Sequence, residues 1–403
     1  MEAVNHIKYG IPFYAVGWAP DAVPLSSQPE NDNDNQTSQK TDTESTPSVP
    51  DSSHIVLAGG GGEGNSGVKN AVVLVRFDPA STSISHEPVA KLSLGSELPY
   101  RMAVHPGVDG LVCAFPESCS WLVWEKEVKE GAHKLSVKQS DRVLEQLQNV
   151  GQQLALTFNK DGSVLATGGE DGKVRVFKWP SMETMFTEDQ AHKTVKQLDF
   201  SHDGKFLVSL GQSGPGRVWD VSSAAVVATL PIEKNEIFCA CKFSLSNNGN
   251  QVLHLADKDG IIATWNTTTW KRVQSKRITR DGIMSFDVSA DGKLLACGTT
   301  SGDLLILKSA GLQIHKVVPK AHTGFVTALS FSRDSRVLAS TSMDSSARVS
   351  TVEEVNKKGV NLWVVILIIL VSILAYFYND PESWTMLKSE LEKVYSLWQK
   401  KGL

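Results

Sequence analysis

One glycine-rich segment, residues 58–70, has the composition of a loop that binds a small ion or another molecule. Its sequence is AGGGGEGNSGVKN, in which Gly62, Gly64 and Gly67 match the spacing G-x-G-x-x-G. A dinucleotide site needs a strand before these glycines and a helix after them. The next residues, AVVLVRF, have the composition of a second strand, and the loop lacks the Lys-Ser/Thr pair of a phosphate-binding loop. We therefore reject a nucleotide site here.

Glycine permits positive φ angles and close approach of the backbone, so a loop of this kind can direct several carbonyls or amides at one point. Two functions remain open for it, an ion site and a contact with another protein. The alternative is a long mobile hairpin without a specific role, and the spacing alone does not separate these interpretations.

The residue types that usually carry catalysis or bind metals show no usable pattern. The histidines are scattered among apparent strands and turns, and we expect His192 and His322 to form hydrogen bonds within the fold. The cysteines form an odd set without zinc spacing, which predicts small core residues: Cys113, Cys119, Cys239, Cys241 and Cys297. The net charge of −4 argues against a nucleic-acid partner.

A repeated unit must position the loop. Its tight turns begin 42, 45, 43 and 43 residues apart, at Asp161, Asp203, Asn248, Asp291 and Asp334. Each unit reads as alternating strands joined by turns, and the Asp-Gly and Asn-Gly pairs predict type I′ hairpins. This period is typical of an all-β, WD-repeat β-propeller with four strands in each blade. Val218-Trp219-Asp220 fits the same pattern.

Two weaker units, residues 13–94 and 101–127, bring the prediction to seven blades within residues 1–355. The strand that closes the ring cannot be read from the sequence. Residues 26–53 are polar and lack aromatic side chains, so we predict a disordered insert in the first blade.

A membrane anchor is predicted at residues 360–378, VNLWVVILIILVSILAYFY, which contain no charged residue. These 19 residues would form a helix about 28 Å long, close to the thickness of a bilayer's hydrocarbon core. The N-terminus has no signal-peptide pattern, and Lys357 and Lys358 precede the apolar run. Both features favour a single-pass type II protein with a cytosolic propeller. Residues 379–403 would then be a short lumenal tail, with the apolar spacing of an amphipathic helix.

Gly10-Ile-Pro-Phe-Tyr14, the 58–70 loop, the propeller and the C-terminal anchor together resemble the Sec-twelve family. Its members are endoplasmic-reticulum guanine nucleotide exchange factors for the Sar GTPase, which starts assembly of the COPII coat. The polar insert and the short tail resemble a plant-type member. Some plant relatives lack the loop and act in transporter export, and the intact loop here argues against that subgroup.

The resemblance implies a function without covalent catalysis: nucleotide exchange on a Sar-type small GTPase at the endoplasmic-reticulum membrane. It also implies that a potassium ion orders the loop and that Asn70 contacts the GTPase. The potassium loop would comprise Gly61, Gly62, Glu63, Gly64, Asn65, Ser66, Gly67 and Val68. From the residues alone, the alternative is a membrane-anchored scaffold or cargo-export adaptor without exchange activity.

Overall fold

The computed structural model describes residues 5–20, 53–62, 66–107, 109–129, 132–233, 236–246 and 248–353. Beyond them it describes residues 366–367, 370–372, 388–393 and 396, all of which are helical. Contacts within the chain divide it into two units, residues 1–353 and 354–403.

The described part of the first unit is an all-β propeller of seven sheets, which confirms the predicted seven-bladed propeller. The chain begins with β1 (His6–Lys8). Blade 1 contains β2 (Phe13–Trp18), β3 (His54–Gly59), β4 (Ala71–Asp78), β5 (Ser83–Ile84) and β6 (Ala90–Ser93). Blade 2 contains β7 (Arg101–Val104), β8 (Gly110–Ala114), β9 (Cys119–Lys129) and β10 (Ala132–Gln139). Blade 3 contains β11 (Gln153–Phe158), β12 (Val164–Gly169), β13 (Val174–Lys178) and β14 (Thr184–Glu188).

The remaining blades repeat the same antiparallel order. Blade 4 contains β15 (Val195–Phe200), β16 (Phe206–Gly211), β17 (Gly216–Asp220) and β18 (Val226–Leu230). Blade 5 contains β19 (Phe238–Leu245), β20 (Gln251–Asp257), β21 (Ile261–Asn266) and β22 (Arg272–Arg277). Blade 6 contains β23 (Ile283–Val288), β24 (Leu294–Thr299), β25 (Leu304–Lys308) and β26 (Gln313–Val318). Blade 7 contains β27 (Val326–Phe331), β28 (Val337–Ser342) and β29 (Ser346–Thr351). Two short 3-10 helices are Glu145–Leu147 and Ala310–Leu312.

The N-terminal strand closes the ring. β1 pairs antiparallel with β29, with Ile7 opposite Ala347, and thereby becomes the fourth strand of blade 7. Ile7 and Ala347 are both buried in a cluster that also contains Phe13 of blade 1. Closure therefore joins the first and last blades through both a strand ladder and an apolar core.

The repeated turns differ from the predicted type I′ geometry. Only the residue after the Asp or Asn has positive φ, as at Gly162 (77°), Gly204 (69°) and Ser335 (62°). The amide of Gly162 donates to the carbonyl of Asn159, three residues earlier. These are four-residue hairpin loops, such as residues 160–163 between Asn159 and Val164, and the third loop residue is left-handed. The prediction of type I′ turns was wrong, because the Asp side chains cap a following amide while their own backbone keeps negative φ.

Buried histidines form hydrogen bonds within the propeller, as expected. The Ser209 hydroxyl lies 2.8 Å from His192 Nε2 and accepts the indole N–H of Trp219 at 2.8 Å. His322 Nε2 lies 2.8 Å from the Ser340 hydroxyl. Burial lowers the pKa of both histidines to about 4, so they stay neutral at pH 7. All five cysteines are free, and only Cys239 is not fully buried, which agrees with their predicted core role.

Charged side chains join the inner strands of neighbouring blades. Lys242 Nζ lies 3.4 Å from a carboxylate oxygen of Asp199 and 3.6 Å from one of Asp287. The amide of Phe243 donates to Asp199 at 2.7 Å, and the amide of Phe331 donates to Asp287 at 3.0 Å. Burial raises the pKa of Asp199, while Asp199 raises the pKa of Lys242. Blades 4 to 7 are thus linked around the axis by one polar chain.

Among the described residues, no helix is both long and apolar enough to cross a membrane. Most of the predicted anchor at 360–378 and of the tail at 379–403 lies outside the described residues, so both stay predictions. The predicted insert at 26–53 is also outside them except for Ser53, which leads into β3.

Candidate functional site: the glycine-rich loop

The glycine-rich loop joins β3 to β4 in blade 1. Its base rests on the Gly10–Tyr14 segment, because the amide of Gly60 donates to the carbonyl of Pro12 at 3.0 Å. A side chain at Gly59 would place its Cβ 2.0 Å from the same carbonyl oxygen. The two sequence features that suggested a site are therefore in contact, and the contact requires glycine.

Asn70 ends the loop and holds it together from inside. Its side chain is 1% exposed, and its Oδ1 accepts the amide of Gly62 at 3.0 Å. Its Nδ2 donates to the carbonyls of Gly95 at 3.1 Å and Ser96 at 3.0 Å, and lies 3.3 Å from the carbonyl of Gly62. The backbone carbonyl of Asn70 accepts the amide of Leu94 at 3.0 Å. Asn70 thus joins the glycine loop to the turn that follows β6.

The structure gives Asn70 the role of holding the loop in place, whereas the resemblance suggested a contact with the GTPase. Direct contact of Asn70 with a GTPase stays a prediction. The geometry is that of an internal brace, in which a buried amide side chain supplies both a donor and an acceptor to the backbone. Sequence reasoning found this residue but missed its partners Gly95 and Ser96. Nothing in the sequence marks their turn as a neighbour of the loop except a glycine, which has a φ of 61°.

Two further glycines are required by close packing inside the loop. A Cβ at Gly60 would lie 2.1 Å from Asn70 Oδ1, and a Cβ at Gly61 would lie 2.1 Å from the Ser66 hydroxyl oxygen. Gly67, by contrast, has a φ of 73°, and a Cβ at this position would meet no other atom within 4 Å. Its glycine serves the turn rather than the packing.

Ser66 connects the two arms of the loop. Its hydroxyl lies 3.5 Å from the carbonyl of Gly61 and accepts the amide of Val68 at 3.3 Å. Ser66 and Gly67 are exposed, whereas Val68 is half-buried against the core of blade 1. The tip of the loop, residues 63–65, holds the predicted residues Glu63, Gly64 and Asn65 and lies outside the described residues.

The oxygen atoms at the base of the loop are of the type that binds an alkali cation. Three carbonyl oxygens, those of Gly62, Gly95 and Ser96, lie within 3.3 Å of one amide nitrogen that carries two hydrogens. The two shorter contacts, to Gly95 and Ser96, use both N–H groups, so the carbonyl of Gly62, the one of the three that belongs to the predicted potassium loop, is left as a surplus acceptor. Carbonyl and hydroxyl oxygens are the ligands by which proteins replace the water shell of potassium. The described part of the predicted potassium loop fits such an ion by its chemistry.

A separate group of side chains with metal-binding atoms lies at the ring closure, formed by His6, His322 and Asp344. Asp344 accepts the amides of Thr323 at 2.7 Å and Ser346 at 3.0 Å. His322 also bonds the Ser346 hydroxyl at 2.7 Å. These bonds give His322 and Asp344 a structural role at the seam, apart from the glycine loop.

Comparisons with known proteins agree with this architecture. The family described as "WD domain, G-beta repeat" matches residues 148–178 and 313–349. SEC12-like protein 2 of Arabidopsis thaliana is 49% identical over 364 residues, which cover 89% of this chain and 91% of that protein. SEC12-like protein 1 of Arabidopsis thaliana is 29% identical, covering 77% of this chain and 79% of the relative.

A more distant relative is the guanine nucleotide-exchange factor SEC12 of Rattus norvegicus, 26% identical over 70% of this chain and 79% of its own length. The match to SEC12-like protein 2 covers nearly the full length of both proteins at high identity. The chain belongs to the SEC12-like family of WD-repeat proteins.

Proposed function

We propose that this protein is a guanine nucleotide exchange factor for a Sar-type small GTPase, and that the glycine-rich loop contacts the GTPase. One observation carries the proposal: in a SEC12-like chain, the exposed residues Ser66 and Gly67 are displayed on a loop whose base is fixed by Asn70. Relatives that are named exchange factors support the activity. The endoplasmic-reticulum membrane, reached through residues 360–378, is part of the same proposal.

Exchange of this kind needs no nucleophile or general base. The protein must bind the nucleotide-free GTPase more tightly than the loaded form, because only that difference in affinity shifts the equilibrium toward nucleotide release. If the loop moved freely when the GTPase binds, it would contribute little to this difference in affinity. The hydrogen bonds from Asn70 and Gly60 hold the loop to two separate backbone segments, so its base resists displacement.

Potassium fits this mechanism as a part of the loop. When bound, the ion would supply positive charge that draws carbonyl oxygens together. The carbonyls of the segment Gly61–Val68 would hold it, with the Ser66 hydroxyl beside them. Asn70 would keep its bonds to the carbonyls of Gly95 and Ser96.

A second function is favoured by one finding. The relative at 49% identity is named only as SEC12-like, whereas a relative named as an exchange factor is 26% identical. A membrane-anchored scaffold or cargo-export adaptor without exchange activity is therefore the alternative.

The experiment that separates the two functions is a nucleotide-release assay. The full chain in detergent is mixed with a Sar-type GTPase carrying fluorescent GDP, in potassium buffer. We expect faster GDP release, a strong reduction with Asn70→Ala, and no reduction with Asn250→Ala, which changes an exposed asparagine of blade 5. Release that is not accelerated in any salt would support the scaffold. Equal acceleration in potassium and lithium would remove the ion from the mechanism.

A further inference from the structure

Three large apolar side chains are exposed on the rim of blades 6 and 7. Met284 is 47% exposed, Phe325 50% and Met343 41%. Phe325 directly precedes β27, Met343 directly follows β28, and Met284 is the second residue of β23. We call these residues the apolar row. Most large apolar side chains of the propeller lie in its inter-blade cores, so an exposed phenylalanine between two methionines indicates a contact surface.

Hydrogen bonds place Phe325 and Met343 side by side and join the strand of Met284 to the strand that follows Phe325. The amide of Met343 donates to the carbonyl of Phe325 at 3.3 Å. The hydroxyl of Ser285, the residue after Met284, donates to the carbonyl of Val326, the residue after Phe325, at 2.8 Å. Met284 lines the axial cavity beside Lys242 and Thr327, so the row extends from the edge of that cavity on blade 6 to the outer turns of blade 7.

The apolar row continues into the base of the glycine-rich loop. The Thr327 hydroxyl, at the start of β27, donates to the carbonyl of Phe13 at 2.6 Å. Phe13 is paired with Gly59, the last residue of β3 before the loop. β2 and β27 begin, and β3 and β28 end, at this same rim of the propeller. The row and the loop consequently lie on one face, on neighbouring blades.

Two other occupants fit this surface less well. The loops that carry the row have charges of both signs, Arg280, Asp281, Lys320 and Asp344, whereas binding to an anionic membrane needs a basic cluster beside the apolar residues. A second copy of the chain would need about 800 Å² from each partner, more than three half-exposed side chains provide. The row is of the size expected for part of an interface that includes the loop.

We propose that the apolar row is a second contact for the GTPase that the glycine-rich loop binds, and that it takes an apolar patch of that partner. This inference rests on the proposed function. An aromatic side chain with methionines nearby suits such a contact, because aromatic residues carry much of the binding free energy of interfaces and methionine adapts to irregular surfaces. Phe325 is the anchor of this contact, with Met343 beside it and Met284 on the next blade.

The test is the concentration of full chain that gives half-maximal GDP release from a Sar-type GTPase. We expect Phe325→Ser to raise it about tenfold or more, as for an interface anchor. Phe325→Leu should raise it less. Val273→Ser is the matched control, because Val273 is 61% exposed but lies on the outermost strand of blade 5. Val273→Ser should leave the half-maximal concentration unchanged. Because Phe325 is half-exposed, its variants should melt at the wild-type temperature.

The outcomes separate this inference from the proposed function. If the wild-type chain accelerates release and Phe325→Ser does so at the wild-type concentration, the inference is wrong and the exchange function stands. If Phe325→Ser and Val273→Ser weaken release equally, the effect is not specific to the row and the inference is again wrong. If the wild-type chain does not accelerate release at all, both fail.

Discussion

Replacement of Asn70 tests whether one buried side chain holds the glycine-rich loop. Two substitutions separate its functions. Asn70→Ala removes every side-chain hydrogen bond, whereas Asn70→Asp keeps the shape and the acceptor but turns the donor Nδ2 into an oxygen. That oxygen would face the carbonyls of Gly95 and Ser96 at about the present 3.0–3.1 Å. We therefore expect loop order to fall from asparagine to alanine and further to aspartate at neutral pH.

The magnitude follows from the bonds that Asn70 can make. Its Oδ1 accepts one amide, and its two N–H groups can serve two of the three carbonyls within reach. Three hydrogen bonds at about 1 kcal/mol each give about 3 kcal/mol for Asn70→Ala. Opening of the loop should then become roughly a hundredfold more frequent.

Amide hydrogen exchange measures this opening directly. The amide of Gly62, which is bonded to Asn70 Oδ1, and that of Leu94, which is bonded to its backbone carbonyl, should lose protection in both variants. Amides of β20 in blade 5 serve as the internal control and should be unchanged. Protection of Gly62 in Asn70→Ala equal to that of the wild type would refute the reasoning, because the hydrogen bonds of the side chain would then not hold the loop.

Three further predictions concern packing, pH and buried charge. Gly60→Ala should disorder the loop, because its Cβ would lie 2.1 Å from Asn70 Oδ1. Gly67→Ala places its Cβ in open space and should destabilise the loop by only about 1 kcal/mol. The rate of proteolysis within the loop compares the two variants. The melting temperature should fall as the pH drops from 6.5 toward 4. Burial lowers the pKa of histidines such as His254 to about 4, so in this range the unfolded chain binds protons that the folded chain does not. His254→Gln should reduce this fall, and an unchanged pH profile would contradict the assignment. Lys242→Met should destabilise the propeller by about 3 kcal/mol in a urea titration, because it leaves two neighbouring carboxylates without a cation. A loss no larger than that for an exposed lysine would count against it.

Much of the propeller could be predicted from sequence because its information is local and repeated. The alternation of apolar residues and the recurring Asp-Gly turns each act within a few residues, and they recur often enough to be counted. The weaker units at 13–94 and 101–127 are blades as well, but the second was predicted too short, because blade 2 extends to β10 (Ala132–Gln139). The turn type was predicted incorrectly, because Asp-Gly satisfies both a type I′ turn and a four-residue loop in which only the glycine has positive φ.

Features that depend on distant parts of the chain could not be predicted in this way. Ring closure pairs β1 with β29, more than 300 residues later, and the three residues of β1 are too few to show a pattern. The burial of Asn70 depends likewise on Gly95 and Ser96, which belong to a turn with no distinctive motif. The composition of the loop suggested flexibility, whereas its base is fixed by bonds that only the folded chain brings together.

Ring closure and loop support are performed by adjacent residues, so the two should be coupled. Ile7 of β1 is buried at the closure seam, the amide of Tyr9 donates to the carbonyl of Ser345 at 2.9 Å, and Pro12 then accepts the amide of Gly60. Only a few residues separate these contacts, which is too short a span to absorb a displacement of the strand without moving the loop base. A weakened seam between β1 and β29 would therefore loosen the loop even while the other six blades remain folded. The stability of the ring closure and the position of the loop base are therefore coupled through residues 7–12.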